Sequence, residues 1–209
     1  MADGLVTNVS LILGFAAAHP SSSVVRLAGL AGLVAGSFSM ASGEYISMKA
    51  QSELFERDLA IERKALVESP EGETEELYET FVRKGIAPEL ARRLAVEVMS
   101  DPVLALETHA REEFGVDPSS LGSPWAASIS SFFAFAVGAF IPLVPWLFIG
   151  GAAAVAWSIA LSAVAALTFG ALLGHFTERS MWFSALRSLF ITALAASVTV
   201  IVGRLVGAG

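Results

Sequence analysis

The sequence predicts an all-α membrane protein: five transmembrane helices, with a charged helical domain inserted between the second and the third. Two observations carry this prediction. Charged residues make up only 16% of the chain, against about 25% in a soluble domain. They are also segregated, with 17 of the 20 acids and 9 of the 13 bases lying between Lys49 and Asp117. The remainder of this 55% hydrophobic chain, whose mean hydropathy is +0.66, is nearly free of charge over stretches long enough to cross a bilayer. The organisation is therefore residues 1–46 for transmembrane helices 1 and 2, 47–117 for the inserted domain and 118–209 for transmembrane helices 3 to 5.

Residues 4–18 form the first apolar run. It is shorter than the roughly 20 residues that a hydrocarbon core of ~30 Å requires. It crosses only with help from residues 19–25, or as a half-length helix held by a bundle. A cleaved-signal reading fails because no basic segment precedes the run, so it reads as a retained membrane segment. The second span covers residues 27–46, with Glu44 as its only charge. Residues 126–148 and 149–174 carry none, and 180–203 contains only Arg187, near enough to the end to snorkel. Small residues recur at helical spacing, as in Ala28, Gly32 and Gly36, then Gly150, Ala154 and Ser158. They let helix backbones approach closely in lipid, within one subunit or across a dimer seam.

The inserted domain reads as helical throughout. The second span continues without a breaker through residues 45–67, rich in Glu, Arg, Lys, Leu and Ala. Ser69-Pro70 supplies an N-cap and an N1 proline, and Glu71 and Glu73 favour the positive end of the dipole. That helix should stop at Gly85, a natural left-handed terminator. Pro88 opens a further helix ending near Ser100, and Asp101-Pro102 caps the next, which should end at Gly115. Residues 116–124 read as a polar linker back to the membrane.

An odd number of spans places the termini on opposite sides. The inserted domain and the 177–187 loop then share the side of the N-terminus. That side holds 11 Lys and Arg (nine in the domain, plus Arg179 and Arg187), against only Arg26 and Arg204 on the other. The excess makes the domain side cytoplasmic. The net charge of −7 arises in the domain and argues against a nucleic-acid partner. The absence of cysteine excludes thiolate metal sites and disulfides.

Several side chains could carry chemistry. Glu73 and Glu76 lie three apart on one helix, Glu53, Glu56 and Glu62 run along the preceding one, and Glu113 sits late in the last. Carboxylate clusters suit cations such as Mn²⁺ and Fe²⁺, although acids on amphipathic helices are more often a solvated face. His109 is four residues before Glu113, so both side chains point the same way; a surface histidine is the commoner reading. His19 and His175 stand at the predicted membrane boundaries. Met40, Glu44 and Met48 follow at steps of four, aligning two thioethers and a carboxylate. An ionisable group in a membrane helix is a functional candidate, and interfacial placement or packing explains the same residues equally well. Asp3 alone reads as an N-cap. No nucleophile elbow, P-loop or HExxH occurs. The residues three before the histidines are Ala16, Leu106 and Leu172, so the Glu-x-x-His pairs of di-iron proteins are absent and an enzyme is not expected.

The chain resembles the vacuolar iron transporter family, the Fe²⁺/Mn²⁺ transporters of plant and yeast vacuoles and their bacterial relatives. The likeness covers nearly the whole chain. It rests on Asp3-Gly4-Leu5-Val6-Thr7-Asn8, Ser39-Met40-Ala41-Ser42-Gly43-Glu44-Tyr45, Pro70-Glu71 with Glu73 and Glu76, Glu113-Phe114-Gly115, and Pro142-Leu143-Val144-Pro145. The resemblance implies five membrane helices, a cytoplasmic helical metal-binding domain, a homodimer, and proton-coupled movement of divalent metal out of the cytosol. Metal is then cargo, with no separate cofactor. By position, it implies domain ligands at Glu62, Glu73, Glu76 and Glu113. A further family glutamate falls at Ala65, which Glu68 would replace, and a family methionine falls at His109. In the membrane, Asp3 and Met40 match translocation residues, and an acidic position of some members is Gly32 here. Asp3 lies inside the first helix of the family, behind a further half-helix that this sequence does not show. The expected path runs from the domain carboxylates and His109 to Glu44, Met40 and Asp3. The membrane would be a bacterial inner membrane, or a vacuolar one in a eukaryote. The rival reading is a membrane-anchored metal sensor or buffer that does not transport.

Overall fold

The computed structural model describes residues 1–18, 20–115 and 122–207. His19 and most of the expected linker lie outside them. Eight helices occur among the described residues: α1 (Ala2–Ala17), α2 (Ser22–Glu68), α3 (Pro70–Arg83), α4 (Pro88–Met99), α5 (Pro102–Glu113), α6 (Pro124–Phe148), α7 (Gly151–Phe176) and α8 (Met181–Gly207). They form two compact units, one of Met1–Tyr45 with Trp125–Gly209 and one of Ile46–Pro124.

Four helices, α2, α6, α7 and α8, are long and apolar enough to cross a membrane. The expected first span is the exception. With 16 residues, α1 rises about 24 Å, short of the ~30 Å core. Among the described residues the span count by length and composition is therefore four.

In the apolar unit α1 is the central helix, burying Leu5, Asn8, Val9, Ile12 and Leu13. Glycine makes this possible. A Cβ at Gly4 would run into the Phe135 carbonyl of α6, and one at Gly203 of α8 into the Gly14 carbonyl of α1. α1 runs antiparallel to α2, with Ile12 facing Gly29 and Leu11 facing Gly32, and parallel to α8, where Gly14 meets Thr199 and Ala18 meets Gly207. The small residues at 32, 36, 154 and 158 thus serve packing inside the chain. Gly36 faces the Phe135 ring, Ala154 is fully buried, and the Ser158 hydroxyl donates to the Pro142 carbonyl (2.7 Å). Pro142 and Pro145 interrupt α6, leaving carbonyls one turn earlier without helical donors. The Asn8 amide nitrogen donates to the neighbouring Ala139 carbonyl (2.6 Å).

The helix ends of the inserted unit follow local chemistry. Gly85 has φ 88°, and the Gly85 and Ile86 amides donate back to the Val82 and Phe81 carbonyls at 2.9 and 3.1 Å, a Schellman turn. The Asp101 carboxylate accepts from the Val103 and Leu104 amides. Ser69 takes the N-cap position of α3 without a side-chain cap bond. Arg92 of α4 grips Glu75 of α3 through two hydrogen bonds and stacks 3.8 Å above the Tyr78 ring. In the other unit α7 ends on the same turn as α3, but with Glu178 at φ 53° in the left-handed position.

Candidate metal centre

Three helices of the inserted unit bring one imidazole and three carboxylates together. α2 supplies Glu62, α3 supplies Glu73, and α5 supplies both His109 and Glu113. One ligand atom from each lies within 4.8 Å of all the others. His109 stands at the centre. Its Nδ1 is 3.2 Å from Glu62 Oε1, 3.2 Å from Glu113 Oε1 and 3.7 Å from Glu73 Oε2. The ring's hydrogen bond goes to Glu113, while Glu62 Oε1 and His109 Nε2 are buried without hydrogen-bond partners.

Burial sets the electrostatics. His109 is 1% and Glu62 6% exposed, Glu73 is partly buried and Glu113 lies at the exposed edge of the group. Burial, reinforced by the neighbouring Glu113 charge, pushes the Glu62 carboxyl up to about 7, although His109 pulls the other way. Burial also raises Glu73 above the ordinary range, with Glu76 and Glu113 adding to it. Three carboxylates in such a site cost free energy unless opposite charge reaches them. A divalent cation would supply it, and a set of one nitrogen with several oxygens suits borderline ions of the Mn²⁺ and Fe²⁺ type.

The other predicted site residues stand apart from this group. Glu76 is exposed and outside it, though its charge still acts on Glu62 and Glu73. Glu68 does not replace the residue missing at Ala65. It pairs at 3.6 Å with Lys64, four residues back, and is 64% exposed. Glu53 pairs in the same way with Lys49. In the apolar unit Asp3 is exposed in the first turn of α1, Met40 is 37% exposed and Glu44 is half-buried. No hydrogen bond or ion pair joins these three among the described residues. His175 is exposed against Phe176. Sequence reasoning missed Asn8 as an individual residue. It is fully buried, and its Oδ1 has no partner.

A helical membrane protein with a buried carboxylate–imidazole group in its inserted unit is thus the class that fold and site define. The VIT family model matches residues 1–204. Vacuolar iron transporter 1 of Arabidopsis thaliana is 30% identical over 207 residues, 99% of this chain and 83% of that protein. The vacuolar iron transporter of Acanthamoeba castellanii is 38% identical over 197 residues, 90% of this chain and 72% of its own length. Vacuolar iron transporter homolog 4 of Oryza sativa matches only 58 residues, at 52% identity. The chain belongs to the VIT family.

Proposed function

We propose that this protein transports divalent metal, Fe²⁺ and also Mn²⁺, out of the cytoplasm in exchange for protons. The observation that carries this reading is the cluster of Glu62, Glu73, His109 and Glu113, built around the buried Glu62 and His109, in a chain whose relatives are named iron transporters. The inserted unit is the cytoplasmic metal-binding domain, where these four side chains capture the ion and Glu76 adds negative charge beside them. A carboxyl with a pKa of about 7 holds a proton that the incoming cation displaces, which gives capture a built-in proton linkage.

The onward path is Glu44, Met40 and Asp3. The antiparallel register of α1 and α2, continued beyond Leu11 and Gly32, brings the start of α1 level with Met40. Asp3 and Thr7 lie four apart on an exposed stripe of α1, and Met40 is also exposed. Ionisable and polar groups do not face lipid without cost, so the exposure of this stripe supports a homodimer in which a second copy covers it. With that cover α1 acts as the fifth crossing.

Metal flux into proteoliposomes tests the reading. Met40→Ala and Glu44→Gln should abolish flux while leaving metal affinity of the purified chain unchanged. Glu44→Gln keeps size but cannot exchange a proton at neutral pH. Full proton-coupled flux in both variants would remove Met40 and Glu44 from the path, whereas no flux through the wild-type chain would leave the sensor or buffer as the function of the group in the inserted unit.

A further inference from the structure

The apolar unit has a second constructed feature, at the end where α1, α6 and α8 finish and α2 and α7 begin. Two adjoining clefts, each of about 530 Å³, flank the start of α7 and share Ala16, Val155 and Ile159 as walls. Within a bilayer such space does not stay empty.

The chemistry is graded along the clefts. At the mouth of one stand Ser22 and Gly151, where the Gly151 amide donates to the Ser22 hydroxyl at 3.3 Å. α7 starts here with no side-chain cap, so its next amides and the positive end of its dipole face the opening. Trp146 also lines this cleft; it is 2% exposed, and its indole N–H has no partner. Arg204, at the mouth of the other cleft, has no ion pair among the described residues. Deeper in, the walls become apolar through Val155, Ile159, Leu13 and Val200. From Gly151 to Ile159 the helix rises about 12 Å, the depth over which a headgroup gives way to acyl chain.

We propose that these clefts bind one anionic phospholipid, with its phosphate over the start of α7, near Ser22 and Arg204, and one acyl chain in each cleft. A free phosphate would meet the same donors but leave both apolar walls uncovered. A second copy of the chain would cover the walls but not the unpaired cation.

The test uses the full chain purified in detergent. Native mass spectrometry counts retained lipid, and thermal shift compares phosphatidylglycerol, phosphatidylcholine and inorganic phosphate. One phosphatidylglycerol per chain should be retained and should raise the melting temperature more than phosphatidylcholine does; inorganic phosphate should have no effect. Arg204→Gln should lower phosphatidylglycerol retention about fivefold, the equivalent of about 1 kcal/mol for one basic residue at a membrane surface. Ile159→Trp, which fills the shared wall, should abolish the lipid-induced shift with no change at Arg204. Equal shifts from both lipids, or retention indifferent to both variants, would overturn the proposal, as would a full shift with phosphate alone. Because the chain has no cysteine, Ile159→Cys gives a clean third arm. Efficient disulfide cross-linking between copies would show that a partner, rather than lipid, fills the clefts.

Discussion

Glu62→Gln is the sharpest probe of the buried group, because one substitution removes the titrating carboxyl while keeping its shape. With a pKa of about 7, proton competition multiplies the wild-type dissociation constant about 1.3-fold at pH 7.5 and about 11-fold at pH 6.0. The affinity of wild type relative to Glu62→Gln should therefore fall about eightfold between these pH values, or about 1.2 kcal/mol. The other side chains of the group are common to both proteins and cancel from the ratio to first order. A carboxyl at its ordinary value of 4.5 would leave the ratio flat over the same range. Mn²⁺ titration of the full chain, followed by calorimetry or electron paramagnetic resonance, reads the ratio directly. A ratio constant from pH 7.5 to 6.0 would refute the reasoning. Without metal the linkage has the opposite sign. A carboxyl held above its unfolded-state value makes the fold lose stability as pH rises from about 4.5 through about 7. Metal-free Glu62→Gln should be spared that loss, which thermal denaturation at pH 5 and pH 8 checks.

Three further outcomes follow from named contacts. Glu73→Ala or Glu113→Ala alone should weaken Mn²⁺ binding, and the double variant should lose nearly all of it in a calorimetric titration. Asp101→Ala removes the acceptor of the Val103 and Leu104 amides and should cost about 1 kcal/mol, seen as a lower melting temperature with metal binding largely kept. Glu178→Gly relieves a non-glycine residue at φ 53° and should stabilise by about 1 kcal/mol, with a higher melting temperature as the readout.

The helix boundaries of the inserted unit were legible because proline, glycine and aspartate act locally. Pro70, Pro88 and Pro102 each begin a helix, and Gly85 supplies a left-handed residue where the chain needs one. The pairing of His109 with Glu113 was also local, a matter of one helical turn. Its meeting with Glu62 and Glu73 was not. It depends on which faces of three helices turn inward: α5 marks its face with Ala105 and Ala110, which bury a surface without announcing it, and α2 and α3 add only the apolar Phe55 and Leu77. Helical phase explains the rest. Glu76 is about 60° around α3 from Glu73 and falls outside the group, and Glu68 is one turn from Lys64 and pairs with it. The first helix misleads differently. Its apolar composition reads as lipid-facing, whereas close glycine contacts draw it to the centre and bury Asn8 and Ser10 with it.

The central place of α1 also sets an order of assembly. It leaves the ribosome ahead of α2 to α8, yet it packs most extensively on α8, which follows all of these. The Thr199 hydroxyl that reaches the Ser10 carbonyl at 2.8 Å is 189 residues away. Contacts so distant in sequence are slow to form, and until α8 arrives the Gly14 surface of α1 has nothing to close against. A nascent chain stalled before α8 therefore holds an unfinished bundle, and a premature stop just before the codons of α8 should produce a product degraded as fast as one truncated far earlier.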